Sequence, residues 1–397
     1  MDFPARFSDL PEYAFPRLRR LLDGVAPGDT PTPMSIGDPM HPIPPMVGEI
    51  LARETQGFAG YPPNEGTPEL RGAIAGWLDR RYGVEVDPDA RILPLNGTRE
   101  GLFNAAIALS PERKAGAQPA VLLPNPFYQC YAVAALTAGA EPVYVNAGPE
   151  TGFLPDFERL DPALLARTSI VYMCSPSNPQ GAVADRAYWT RLLALAERYD
   201  FRIFADECYS EIWRETPPPG ILEVADAVCA DPERVVAFHS LSKRSNLAGL
   251  RSGAATAGPK AIAAMKQLRA YAGAPLPLPL QRVAEAVWAD EEHVRQSQAL
   301  YREKFDLADE ILGNLPGYSA PEAGFFLWLD VGDGEATALD LWRRAGVRCL
   351  PGAYLARDAG GENPGARYIR LALVAPRDEV ARGLRAVAHH LSAGRAA

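Results

Sequence analysis

The chain has 397 residues, 47% hydrophobic and 22% charged, which suits a globular protein of two or three domains and excludes a wholly disordered one. Its 40 basic and 49 acidic residues leave a net charge of −9, which argues against nucleic-acid binding, since phosphate backbones need a basic face. Five scattered cysteines (Cys130, Cys174, Cys208, Cys229, Cys349) form no C-x-x-C pair, and neither an apolar leader nor a spanning apolar run occurs, so no disulfide framework, zinc knuckle or membrane partner is expected and the expected location is the cytoplasm.

The first 45 residues carry Pro27, Pro31, Pro33, Pro39, Pro42, Pro44 and Pro45, which forbid a long helix and predict an arm and crossing loop after one short helix near 16–22. From about residue 65 short apolar runs alternate with helical stretches. The runs are RILPL (91–95), AVLLP (120–124), PVYV (142–145), SIVYMC (169–174), RIFA (202–205), VVAFHS (235–240) and SGAATAG (252–258). Such alternation predicts βαβ units and a mostly parallel seven-stranded sheet covered by helices. After residue 280 one long helix over about 281–312 is predicted, then strands at 325–330 and 368–374 and a closing helix. The expected organisation is an α/β fold in three parts. Residues 1–45 form an arm that joins the small domain, 46–280 a large domain, and 281–397 a smaller α+β domain.

In an open α/β sheet, ligands bind beyond the carboxyl ends of the strands, so the polar groups after each run matter most. After RILPL comes Asn96-Gly97-Thr98-Arg99, either an anion cradle at a helix start or an ordinary N-cap. After AVLLP comes Tyr128, an aromatic ring that core packing alone could explain. After SIVYMC stands Asn178, in a turn whose amide could point at a ligand. Asp206 follows RIFA directly, where a buried carboxylate demands a partner, with Glu207 and Tyr209 beside it. Ser240, Ser242 and Lys243 follow the next run, and Arg251 lies eight residues on. An imine-forming lysine, an acid for a pyridine nitrogen, and hydroxyls with an arginine for a phosphate are together what pyridoxal phosphate requires. The five histidines show no metal spacing, and no nucleotide-binding glycine motif occurs.

Six stretches then identify a resemblance: YPPNEGTPELRGAIAGW (61–77), NGTREGLF (96–103), PNPFYQCY (124–131), SPSNPQG (175–181), DECYSEIW (206–213) and SLSKRSNLAGLRSG (240–253), closed by YIRLAL (368–373). In order and spacing they are similar to the class I/II, fold-type I pyridoxal-phosphate aminotransferases, over nearly the whole chain. NGTREGLF and SLSKRSNLAGLRSG look most like the branch acting on succinylated diaminopimelate in lysine biosynthesis. The resemblance implies that Lys243 carries the cofactor and Asp206 pairs with its pyridine nitrogen. Asn178 and Tyr209 hold the ring hydroxyl, and Tyr128 stacks on the ring. Gly97, Thr98, Arg99, Ser240, Ser242 and Arg251 hold the phosphate, which Tyr61 reaches from the neighbouring subunit of a homodimer. Arg370, helped by Gly37 and Asn178, clamps the substrate α-carboxylate. Arg99 is either a phosphate neighbour or the clamp for a second substrate carboxylate. The implied reaction is ping-pong transfer from glutamate, leaving 2-oxoglutarate, to a keto acid or semialdehyde. A lyase on the same scaffold, transamination of another amino acid, and a non-catalytic cofactor-sensing module are the competing readings.

Overall fold

A computed structural model describes residues 4–8 and 10–393. All seven predicted runs are strands of one sheet: β1 (Ile92–Leu95), β2 (Ala120–Asn125), β3 (Glu141–Asn146), β4 (Thr168–Cys174), β5 (Arg202–Asp206), β6 (Val235–Ser240) and β7 (Gly253–Ala257). Their order is β1-β7-β6-β5-β4-β2-β3. Every pair is parallel except those made by β7, which runs antiparallel to β1 and β6. Helices cover both faces, which is why β2, β4 and β6 read as unbroken apolar runs rather than alternating ones. The twofold strand period still sorts the packing. In β5, Ile203 and Ala205 join a core with Trp77, Trp189 and Trp288, while Phe204 joins the opposite core with Tyr131, Tyr172 and Phe238.

A second, three-stranded antiparallel sheet is built from β8 (Phe326–Asp330), β9 (Leu350–Pro351) and β10 (Tyr368–Ala372), in the order β9-β10-β8. Helices Glu292–Leu312 and Arg377–Ala393 pack on it through Tyr301, Phe305, Val380 and Leu384. The proline-rich arm crosses to this region, where Thr32–Pro33 pairs in parallel with Val347–Arg348. Its short helix spans Ala14–Leu22 and packs on Leu350 and Tyr354.

The single helix predicted over 281–312 is two: Leu278–Ala289 and Glu292–Leu312. Asp290 between them is extended (φ −94°, ψ 132°), and its carboxylate accepts from His293 N at 3.1 Å. Arg244 donates to Asp290 O at 3.1 Å and to Glu291 Oε1 at 2.8 Å, so a tertiary contact holds the break. Sequence period cannot show this, because Asp and Glu are tolerated inside helices and the apolar spacing continues through the break. The first helix packs into the Trp77 core through Val283, Val287 and Trp288, and the second into the core of the small sheet.

Candidate active site

The carboxyl ends of β1, β2, β4, β5 and β6 converge on a cavity of about 260 Å³, closed from the other side by β10 and the crossing loop. The sequence-predicted Gly37, Thr98, Arg99, Tyr128, Asn178, Asp206, Tyr209, Ser240, Ser242, Lys243, Arg251 and Arg370 all line it. Two predicted residues do not. Gly97 has φ +77°, and a Cβ there would stand 2.1 Å from a nitrogen of the Arg251 guanidinium. Tyr61 is fully exposed outside the cavity.

Asp206 ends β5 and is buried. Its Oδ2 accepts from Tyr131 OH at 2.7 Å and its Oδ1 from Cys208 N at 3.3 Å. Burial raises its pKa, opposed by the Cys208 and Tyr131 hydrogen bonds. Lys243 lies in the one helical turn, Leu241–Arg244, that follows β6. Burial lowers its pKa to about 8, and Asp38 opposes that shift. Its Nζ donates to Gly37 O. Gly37 must lack a side chain, since a Cβ would stand 2.5 Å from the Phe326 ring.

Arg370 is fixed by the register of β10, opposite Trp328 and Leu350. Its Nη1 donates to Asn178 Oδ1 at 2.9 Å and its Nη2 to Ser35 O at 2.7 Å, with Cζ 4.1 Å over the Phe326 ring. Its Nε is buried without a partner, and burial lowers its pKa to about 10. Asn178 Nδ2 reaches Tyr209 OH at 3.5 Å, the outer limit of a hydrogen bond. Arg99 is exposed at the mouth, its Nε 2.5 Å from Tyr128 OH. Ser240 Oγ accepts from Ser242 N at 3.1 Å, while Thr98 Oγ1 lies 3.1 Å from Cys208 Sγ.

Sequence reasoning missed Tyr131, although it stands three residues after Tyr128 on the same helix face in PNPFYQCY. It also missed Tyr13, Phe15 and Ile36 at the mouth. No local signal announces them, because only the path of the arm brings them there.

The family description "Aminotransferase class I and II" matches residues 30–387. The chain belongs to the class I/II aminotransferases. An LL-diaminopimelate aminotransferase of Dehalococcoides mccartyi is 31% identical to this aminotransferase over 401 residues, covering 99% of this chain and 100% of the relative. A 4-dedimethylamino-4-oxo-anhydrotetracycline transaminase of Streptomyces rimosus is 34% identical, covering 88% of this chain and 90% of its own. The crystal structure of an aminotransferase from Neisseria meningitidis Z2491 superposes with a TM-score of 0.93 at 37% identity, covering 98% of this chain and 100% of its own.

The aminotransferase is thus a pyridoxal-phosphate-dependent enzyme, and its cavity fits that cofactor. Among the described residues the buried Asp206 carboxylate has no cationic partner, and Arg251 donates only to the Ala248 and Asn96 carbonyls. Helix Thr98–Leu109 opens with no side-chain cap on its free N–H groups. A buried carboxyl group on one side and an unpaired cation beside a helix start on the other complement a protonatable ring that bears a phosphate.

Proposed function

We propose that this aminotransferase moves an amino group between glutamate and the 6-oxo position of N-succinyl-2-amino-6-oxopimelate, a step of lysine biosynthesis, as a homodimer with shared active sites. The observation that carries the substrate reading is the presence of two arginines in one cavity besides Arg251, which is taken up by the phosphate side. Arg370 is buried beside Lys243, and Arg99 is exposed at the mouth with no carboxylate partner among the described residues. A substrate with a carboxylate at each end of an apolar chain uses both, which takes Arg99 as the second carboxylate site.

Pyridoxal phosphate, when bound, supplies an electron-withdrawing ring that stabilises the charge left as an amino acid loses its α-proton. The chain's own groups do the rest. Lys243 Nζ holds the cofactor and, once released, moves the proton at the substrate α-carbon, a task suited to an amine whose pKa burial has lowered to about 8. Asp206 would present its carboxyl group to the ring nitrogen, with the Tyr131 and Cys208 hydrogen bonds opposing the upward push of burial on its pKa. Asn178 and Tyr209 would donate to the ring oxygen, and Tyr128 would cover the ring face. Thr98, Ser240, Ser242 and Arg251 would form the phosphate cradle, Gly97 leaving room beside it for the Arg251 guanidinium, and Tyr61 would reach the cradle of the neighbouring subunit. Arg370 and the Gly37 backbone orient the α-carboxylate, so that the α-proton faces Lys243.

A second reading, unsuccinylated LL-diaminopimelate, is favoured by the name of the Dehalococcoides mccartyi relative. The test runs the reaction in reverse, with 2-oxoglutarate and either N-succinyl-LL-diaminopimelate or LL-diaminopimelate, and measures glutamate formed. A kcat/KM at least about tenfold higher for the succinylated compound is expected. The opposite ranking selects the second reading.

A further inference from the structure

His41 and Lys304 face each other at the seam between the crossing loop and helix Glu292–Leu312, outside the cavity. Lys304 Nζ lies 2.7 Å from His41 Nε2 and donates to Val374 O at 3.2 Å. Lys304 is buried and makes no ion pair among the described residues, an unusual place for an amine. The His41 ring stacks obliquely on Tyr301, with centroids 4.3 Å apart, and its Nδ1 lies 3.4 Å from Ser297 Oγ. Burial holds the imidazole near a pKa of about 4 and the amine near about 8. At neutral pH the imidazole is therefore the acceptor and the ammonium the donor.

The two segments that Lys304 joins are those that form the carboxylate end of the cavity. At its start the loop is fastened to the small sheet, Ala372 N donating to Met34 O at 2.7 Å. Ser35 O and Gly37 O then receive Arg370 and Lys243. Beyond that point Met40 and Ile43 are exposed, and Pro39 and Pro42 have no N–H to give. The far end is held by polar side chains, with Lys304 on the His41 ring and Asn246 on Pro42 O at 3.4 Å. Val374 lies four residues after Arg370, so the same ammonium also fixes the end of that segment.

We infer that the His41–Lys304 pair is a positioning device for the substrate-carboxylate site, fixing the gap between the Ser35–Gly37 carbonyls and the Arg370 guanidinium. This rests on the reading of Arg370 as the carboxylate ligand. Cutting the link frees the far end of the loop and spoils the geometry at Arg370. The cofactor's partners on β5 and β6 are left in place, because strand pairing holds them.

The test uses the holoenzyme with His41→Ala, His41→Asn, Lys304→Met and the double variant His41→Ala/Lys304→Met. The readouts are the glutamate concentration for half-maximal bleaching of the visible cofactor band, the limiting bleaching rate, and cofactor affinity. Half-saturating glutamate should rise about tenfold in His41→Ala and in Lys304→Met, and no further in the double variant, with the other two readouts within about twofold of wild type. His41→Asn, which keeps an acceptor for the ammonium, should recover part of the loss. Wild-type half-saturation, additive singles, or a loss of rate or cofactor affinity with half-saturation unchanged would each overturn the inference. Glutarate, a dicarboxylate that cannot react, gives the same comparison by its shift of the band. A wild-type enzyme that binds glutarate but ignores glutamate would therefore sink the transamination reading and leave this test standing.

Discussion

At the scale of single residues, Lys243 shows what burial does to an amine. Its folded-state pKa is about 8, against roughly 10.4 for an unfolded lysine. Between those values the unfolded chain binds a proton that the folded chain does not, so this group makes cofactor-free protein more stable as pH rises through that window. Below pH 8 the buried ammonium exacts its full cost. Lys243→Met should therefore stabilise the cofactor-free protein at pH 7 by about 1–3 kcal/mol, the low end reflecting the amine's partial exposure, and the gain should shrink by pH 10. Urea unfolding at the two pH values measures it. Arg370 is the complementary case, a charge whose geometry matters more than its sign. Arg370→Lys keeps the cation but loses the fork, and should weaken glutamate by about 2 kcal/mol in the half-reaction while cofactor affinity holds. Tyr131 was not legible as a site residue, because its hydroxyl finds Asp206 only once the helix after β2 is laid against the end of β5.

At the scale of elements, the turn from β1 into helix Thr98–Leu109 depends on one residue. Gly97 combines φ +77° with contact against Arg251, so a methyl group there is both strained and obstructed. Gly97→Ala should cost about 1–3 kcal/mol of stability and weaken cofactor binding through displaced Arg251, as thermal melting and cofactor titration would register. The strands were legible because strands buried on both faces leave unbroken apolar runs, and those of β1, β2, β4, β5 and β6 are each followed by polar groups at the sheet's ligand edge, whereas β3 is a part-exposed edge strand and β7 runs the other way. The break at Asp290 was not. It depends on Arg244, some 46 residues earlier in the chain, holding the Asp290 carbonyl, a contact without trace in local periodicity.

At the scale of the whole molecule, the arm is where sequence says least. Its prolines forbid a long helix, but nothing in them says that Tyr13, Phe15 and Ile36 will form the cavity mouth or that His41 will meet Lys304. Ile36, Met40, Ile43, Phe58, Tyr61 and Tyr271 are exposed, side chains that the proposed homodimer could cover. If Tyr61 serves the neighbouring site, mixing Lys243→Ala subunits with Tyr61→Ala subunits gives hybrids with one site doubly defective and one intact. Random reassociation should restore about a quarter of the wild-type activity that neither variant has alone. Activity that stays at the sum of the two variants would place Tyr61 outside the shared site.

The most direct test of the central claim, that Lys243 holds pyridoxal phosphate and glutamate is the amino donor, is an absorbance spectrum of the purified protein with cofactor, before and after glutamate alone. A visible band that bleaches with one equivalent of 2-oxoglutarate released, and that is absent in Lys243→Ala, is the predicted result. A band that forms and ignores glutamate would contradict the donor, continuous product from an amino acid alone would indicate a lyase, and no band would contradict the site itself.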